Sequence, residues 1–93
     1  MLWHVLGGAR GGENRAKIIA ELRRRPMNMN QLAESLSLDY RTITHHVSIL
    51  VSNSLIEPHG ERYGATYFLT HRLEAGFEAF EMICSSLHYL QNG

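Results

Sequence analysis

The chain has 93 residues, nine Lys and Arg against nine Asp and Glu, a formal net charge of zero and one cysteine. These values fit one domain and exclude both a disulfide framework and a CxxC-type zinc site. No apolar run approaches the roughly 20 residues that span a bilayer, and MLWHVLGG is too short for a secretory signal, so the expectation is a cytoplasmic protein with no membrane partner.

The chain opens with an extension over 1–12. Leu2, Trp3, Val5 and Leu6 are too apolar for a free tail and are expected to pack on a dimer or beside the last helix. GGARGG follows. Its glycine content suits a phosphate-cradling loop, but the GK[ST] ending of such loops is missing, and the reading is a flexible hinge. A helix is predicted from about Asn14 to Arg25, with Ile18, Ile19 and Leu22 inward and Pro26 ending it. Arg23, Arg24 and Arg25 fall in its last turn, where the macrodipole favours cations, although one of them is also placed to touch a phosphate.

Two short helical patterns come next, MNMNQLAESL and YRTITHHVSILVSNSLI, separated by the break SLD. Asn28 followed three residues later by Gln31 approximates a capping box, and Leu32, Ala33 and Leu36 share a stripe. Asp39 is the predicted N-cap of the second helix, spanning about 40–53, in which Ile43, Val47 and Leu50 recur at i, i+4 and i+7. This spacing is that of a helix-turn-helix, an arrangement that places its second helix in a DNA major groove. At about 100° per residue, Arg41, His45, Ser48 and Ser52 lie opposite the apolar stripe, with Thr42 and Thr44 flanking it. Arg can bridge guanine O6 and N7, and hydroxyls serve base edges or backbone, so this face suits DNA. A merely solvated helix face would look the same in isolation. His46 lies about 60° from Ile43 and is read as a packing or hydrogen-bonding residue at the core edge.

A hairpin signature then covers about 55–69: LIEP, the turn-rich HGERYG, and ATYFLT, in which Ala65, Tyr67 and Leu69 alternate with Thr66 and Phe68. Pro58 fits an edge, and Gly60 and Gly64 give the loop its conformational freedom. Arg62 near the tip is a candidate contact to a phosphate or minor groove; His59 is read as a loop side chain. A hairpin wing directly after the second helix turns the reading of its polar face from solvation toward DNA.

Beyond Thr70 a long helix is predicted over 71–91. Leu73, Gly76, Phe77, Phe80, Ile83, Cys84, Leu87 and Leu90 fall in an arc of roughly 140°. A chain this small buries only about 60–65% of its unfolded surface, so such a stripe most economically meets its copy across a two-fold axis. The expected interface is Leu73, Phe77, Phe80, Ile83, Cys84 and Leu87, the alternative being a helix folded back on its own domain.

The run RAKIIAELRRRPMNMNQLAESLSLDYRTITHHVSILVSNSLIEPHGERYGATYFLT resembles the winged helix-turn-helix domains of ArsR-type transcriptional regulators. It is most similar to small archaeal members with a GGxRGG segment, a P-x-N-x-N-Q-L-A step and a D-Y-x-T-[IV]-x-H-H stretch. The resemblance covers nearly the whole chain. It implies a mostly helical α+β fold with a small β-hairpin wing, a single winged domain (1–12 extension, 13–70 core, 71–91 C-terminal helix), and a homodimer binding double-stranded DNA. It also implies that Arg41, Thr42, Thr44 and His45 contact bases or phosphates, with Ser48 and Arg62 completing the candidate set. Two recognition helices related by a two-fold axis would read half-sites about 10 bp apart.

Charge is segregated. Residues 1–47 carry seven cations and four anions, a net of plus three, and residues 48–93 carry two cations and five anions, a net of minus three. The expectation is a mildly basic DNA side, with Arg10, Arg15 and Lys17 among its cations, opposed to an acidic remote element.

Many ArsR-type proteins sense metals. Here LSLDYRT has no cysteine, and His71 with Glu74 at i, i+3 and His88 further on lack the upstream acid-and-histidine pair, so no metal and no cofactor is expected. Cys84 on an apolar face reads as a buried structural thiol. No nucleophile, base and orienter occur at interpretable spacing, so an enzyme is not expected. The competing reading is a winged domain used for protein contacts in a transcription or chromatin assembly, to which zero net charge lends some weight. An effector is not visible in the sequence.

Overall fold

A computed structural model of the chain describes residues 2–7, 11–61 and 64–90. The order of elements is α1 (Leu2–Leu6), α2 (Gly12–Arg24), α3 (Met29–Leu36), α4 (Tyr40–Ser52), β1 (Ile56–His59), β2 (Thr66–Leu69), α5 (His71–Ala75) and α6 (Phe77–Ser86). This is the predicted mostly helical fold with a hairpin wing. The hinge residues Gly8, Ala9 and Arg10, and Arg62 at the wing tip, lie outside the described residues.

Local chemistry sets the helix-turn-helix. The Asn28 side chain accepts from the Gln31 amide at 2.8 Å while Gln31 Oε1 accepts from the Asn28 amide at 2.9 Å, the reciprocal capping box. Ser37 then takes a left-handed conformation, φ 56°, and the Leu38 amide reaches back to the Ala33 carbonyl at 3.0 Å, closing α3. Asp39 accepts from the Thr42 amide at 2.8 Å and starts α4. Ile43, Val47 and Leu50 of α4 are fully buried with Ile18, Ile19 and Leu22 of α2 and Leu32 of α3. That apolar overlap fixes the three-helix core.

The wing is antiparallel, with Ile56 opposite Leu69, Glu57 opposite Phe68, Pro58 opposite Tyr67 and His59 opposite Thr66. The Tyr67 amide also donates to the Met27 carbonyl at 2.8 Å, a single bridge that ties the sheet to the turn between α2 and α3. It pairs one residue on the other edge of β2, which a two-stranded hairpin alone leaves open. At the wing base, Thr70 donates from its hydroxyl to the Ser54 carbonyl at 2.8 Å and accepts from the Leu73 amide at 3.2 Å, so one residue ends the hairpin and caps α5.

The N-terminal helix packs beside the last one, as its apolar sequence suggested. Val5 and Leu6 are buried, and the Tyr89 hydroxyl donates to the Leu6 carbonyl at 2.9 Å. A Cβ on Gly12 would come 1.9 Å from that carbonyl oxygen, so only glycine permits this approach of α1 and α2.

The C-terminal segment departs from expectation. The predicted continuous helix over 71–91 is two helices broken at Gly76, whose backbone is at φ −107°, ψ 26°. Leu73, Phe80, Ile83 and Cys84, expected to face a second copy, are buried within the single chain at 3, 2, 9 and 4% exposure. An arc of roughly 140° is wide enough to line a domain core, and a small core has need of these side chains.

Candidate nucleic-acid interface

The outer face of α4 carries Arg41, His45 and Ser48, all exposed, with Thr42 and Thr44 half-buried at its margins. The hydroxyls are already oriented. Thr44 Oγ1 donates to the Tyr40 carbonyl at 2.8 Å, Ser48 Oγ to the His45 carbonyl at 2.8 Å, and Thr42 Oγ1 to Asp39 Oδ2 at 3.2 Å. Each hydroxyl proton is engaged within the motif, by a carbonyl of α4 or by its Asp39 cap, which leaves the oxygens to serve as acceptors. Arg41 offers only donors. The face therefore pairs a donor fork suited to guanine O6 and N7 with hydroxyl oxygens suited to the amino groups of adenine or cytosine. The Thr42 amide and hydroxyl, with Arg41 alongside, hold the Asp39 carboxyl below the usual carboxylate range, so the cap stays ionised.

The inner edge of α4 holds a polar pair. Arg15, from the first turn of α2, is 3% exposed and His46 is 6% exposed. Arg15 Nε donates to the Val5 carbonyl at 2.8 Å, and Arg15 Nη1 lies 3.1 Å from His46 Nδ1. Burial first, then the Arg15 charge and the neighbouring His45, push the His46 imidazole below its ordinary value. His46 is thus the packing and hydrogen-bonding residue that its position on the helix suggested. Arg15 corrects the charge count, because it is buried between α1 and α4 instead of lying on the basic side. A signal for this was present: Arg15 stands at i−3, i−4 and i−7 to Ile18, Ile19 and Leu22, on the inward stripe of α2.

The arginines at the end of α2 are likewise engaged locally. Arg24 pairs with Glu21, and Arg23 sits 3.9 Å from Glu74 with its Cζ 4.1 Å from the Phe77 ring centre. On the wing, His59 Nε2 meets Glu57 Oε2 at 2.9 Å and its ring stands edge-on to Phe68. The interface residues proposed on the last helix divide. Phe77 and Leu87 are half-buried, whereas Leu73, Phe80, Ile83 and Cys84 belong to the core. Burial, with Glu81 nearby, raises the Cys84 thiol to about 11, which makes it a poor thiolate. Met82 is 71% exposed and lies with Ala79, Ile83 and Ser86 along a shallow groove on the outer side of α6. Among the described residues no three His, Cys, Asp or Glu side chains gather as a metal site, and no helix is long and apolar enough to cross a membrane.

Solved structures share this arrangement. The homodimeric winged helix-turn-helix DNA-binding domain Mb0332 from Mycobacterium bovis, described as a possible ArsR-family transcriptional regulator, matches with a TM-score of 0.70 at 17% identity over 99% of this chain and 88% of that one. A probable transcriptional regulator from Pseudomonas aeruginosa matches at 0.73 and 20% identity, over 94% of this chain and 68% of that one. A mutant MarR from E. coli complexed with operator DNA matches at 0.69 and 23% identity, over 94% of this chain and 66% of that one. This chain spans 59% of the length of another E. coli MarR structure. These likenesses establish the winged-helix fold. No curated protein sequence matches the chain. The family described as the methanogenesis regulatory protein FilR1, N-terminal domain, matches residues 9–73, which include α2, the whole helix-turn-helix and the wing. The chain belongs to this FilR1 N-terminal domain family of winged-helix regulators.

Proposed function

We propose that the chain is a sequence-specific, DNA-binding transcriptional regulator of ArsR type, acting as a cytoplasmic homodimer. Helix α4 enters the major groove and the wing rests on the backbone or minor groove. The observation that carries this reading is the outer face of α4. Arg41, His45 and Ser48 are exposed together on a helix whose start is fixed by Asp39 and whose inner side is fully committed to the core. Two structural neighbours support it: one is a homodimeric DNA-binding domain and another is bound to operator DNA. With most of the apolar stripe buried in its own domain, the pairing surface of this reading is the outer side of α6 around the exposed Met82.

The test is selection of bound sequences from a genomic library, then titration of the best site at two salt concentrations for the wild type and Arg41→Ala. The expected outcome is a pseudo-palindrome. Arg41→Ala should weaken specific binding by about 1–3 kcal/mol and relax preference at one base pair of each half-site. Loss of affinity without loss of preference would place Arg41 on the backbone. No enrichment over bulk DNA would favour the protein-contact reading.

A further inference from the structure

We propose that the concavity between the start of α2 and the first two turns of α4 seats a DNA backbone phosphate, with His46 Nε2–H as donor and Arg15 as the positioning residue that holds the imidazole in that tautomer. The proposal rests on the DNA-binding reading above and adds to it a residue on the inner edge of the recognition helix.

The tautomer follows from Arg15. A guanidinium has donors and no acceptor, so His46 Nδ1, 3.1 Å from Arg15 Nη1, receives the hydrogen bond and the ring proton resides on Nε2. Arg15 is itself pinned by its 2.8 Å bond to the Val5 carbonyl, so the ring is held from behind by a fixed cation. Burial and that cation both disfavour imidazolium, keeping the ring neutral with one outward donor.

The outward nitrogen has been left without a partner. His46 is 94% buried, being 6% exposed, yet among the described residues Nε2 makes no hydrogen bond. Among the described residues no fully enclosed side-chain nitrogen or oxygen lacks a partner, so the unpartnered Nε2 is open to solvent, on a ring that lines the concavity. The space there is about 710 Å³, open, and lined by Gly11, Asn14, Asp39, Arg41, Thr42, His45 and His46. It is far larger than one phosphate group and admits a length of backbone.

The surroundings suit an anion. Gly11 caps α2 with no side-chain acceptor, so the positive end of a 13-residue helix opens beside the ring. A Cβ on Gly11 would stand 2.7 Å from His46 Cε1 and 3.4 Å from Nε2, so any other side chain would crowd the donor. Arg41 and His45 lie on the same rim. The one carboxylate there, Asp39, is occupied by the Thr42 amide and hydroxyl at 2.8 and 3.2 Å.

The experiment compares two variants of the full chain on the selected site. His46→Asn places an amide oxygen where Nδ1 accepts from Arg15 and leaves nothing at the Nε2 position; His46→Gln restores a donor near Nε2. The expected result is that His46→Asn melts close to the wild type but binds every sequence about tenfold more weakly, with base preference unchanged, and that His46→Gln recovers most of the loss. Single methylphosphonate substitutions along the site should cost the wild type about tenfold at one phosphate per half-site and His46→Asn nothing further at that position.

Equal binding by His46→Asn and the wild type overturns the seat while leaving the base-reading face, tested through Arg41, intact. A wild type that binds no DNA overturns both. Should His46→Asn fail to fold, ¹⁵N spectra of the wild-type ring decide: an Nε2–H tautomer whose proton moves downfield on adding the DNA is expected, and an Nδ1–H tautomer or an unmoved proton overturns the proposal.

Discussion

Helices α4 and α6 are both short, amphipathic and packed on the same core, but they are held in different ways. Asp39 caps α4 through its side chain and α3 carries a complete capping box, so each helix of the helix-turn-helix has its start fixed by residues within one turn. Helix α6 starts at Gly76 with no side-chain cap and is positioned by packing, chiefly through buried Phe80, Ile83 and Cys84. Their outer faces differ in the same sense. That of α4 is Arg, His and Ser; that of α6 mixes Glu78, Glu81 and Ser85 with the 71% exposed Met82. A helix specified locally keeps its outward residues in a defined register even when its packing is perturbed, as the role proposed for α4 requires. A helix specified by packing can be displaced by changes in its contacts.

The largest effect that would break this comparison lies in the C-terminal region. Phe80 is 2% exposed and its ring centre lies 4.9 Å from that of Phe77. Phe80→Ala should destabilise the chain by about 3–5 kcal/mol in urea titration, with the same loss at low and high protein concentration, because the side chain fills its own domain. If the loss appeared only at concentrations where the protein is dimeric, the stripe would belong to the interface after all.

A smaller effect tests the other side. Asn28→Ala removes the side-chain acceptor that the Gln31 amide uses at 2.8 Å, while the Asn28 amide that donates to Gln31 stays, and it should cost about 1 kcal/mol. Amide hydrogen exchange should quicken in the first turn of α3 while α6 keeps its protection. Quickening spread equally over α6 would mean that the two regions are not separately specified.

The same contrast explains what could be read in advance. Asn28, Asp39 and the Ile43, Val47, Leu50 stripe are local signals that agree with one another, so both helices of the motif were legible to within a residue. The wing was legible from Pro58, Gly60, Gly64 and the alternation through Leu69. The bridge from Met27 to Tyr67 was not, since one paired residue has no period. On the candidate site, Arg41, His45 and Ser48 follow from helical geometry alone. The Arg15 and His46 pair joins residues 31 apart through space, which neither a helical period nor a net charge encodes. In the C-terminal segment a broad apolar arc is compatible with a dimer seam or a domain core, and only the packing of α1 and α2 against it decides between them.

The smallest predicted effect probes why that segment breaks. Gly76 is exposed, its φ of −107° is open to any residue, and a Cβ there would meet only the Arg72 carbonyl oxygen, at 3.7 Å. Gly76→Ala should therefore stabilise the chain by about 0.4–1 kcal/mol by narrowing the unfolded ensemble. If tertiary packing imposes the break, α6 stays seated and Cys84, buried with its thiol raised to about 11, remains slow toward thiol reagents at neutral pH. If glycine itself imposes the break, alanine would continue the helix through position 76 and carry Phe80, Ile83 and Cys84 around the axis relative to Leu73. Helical content would then rise while Cys84 became reactive and stability fell. The first outcome is expected, because four core side chains hold the two short helices in their present orientation, against a helix-propensity difference between Gly and Ala of about 1 kcal/mol.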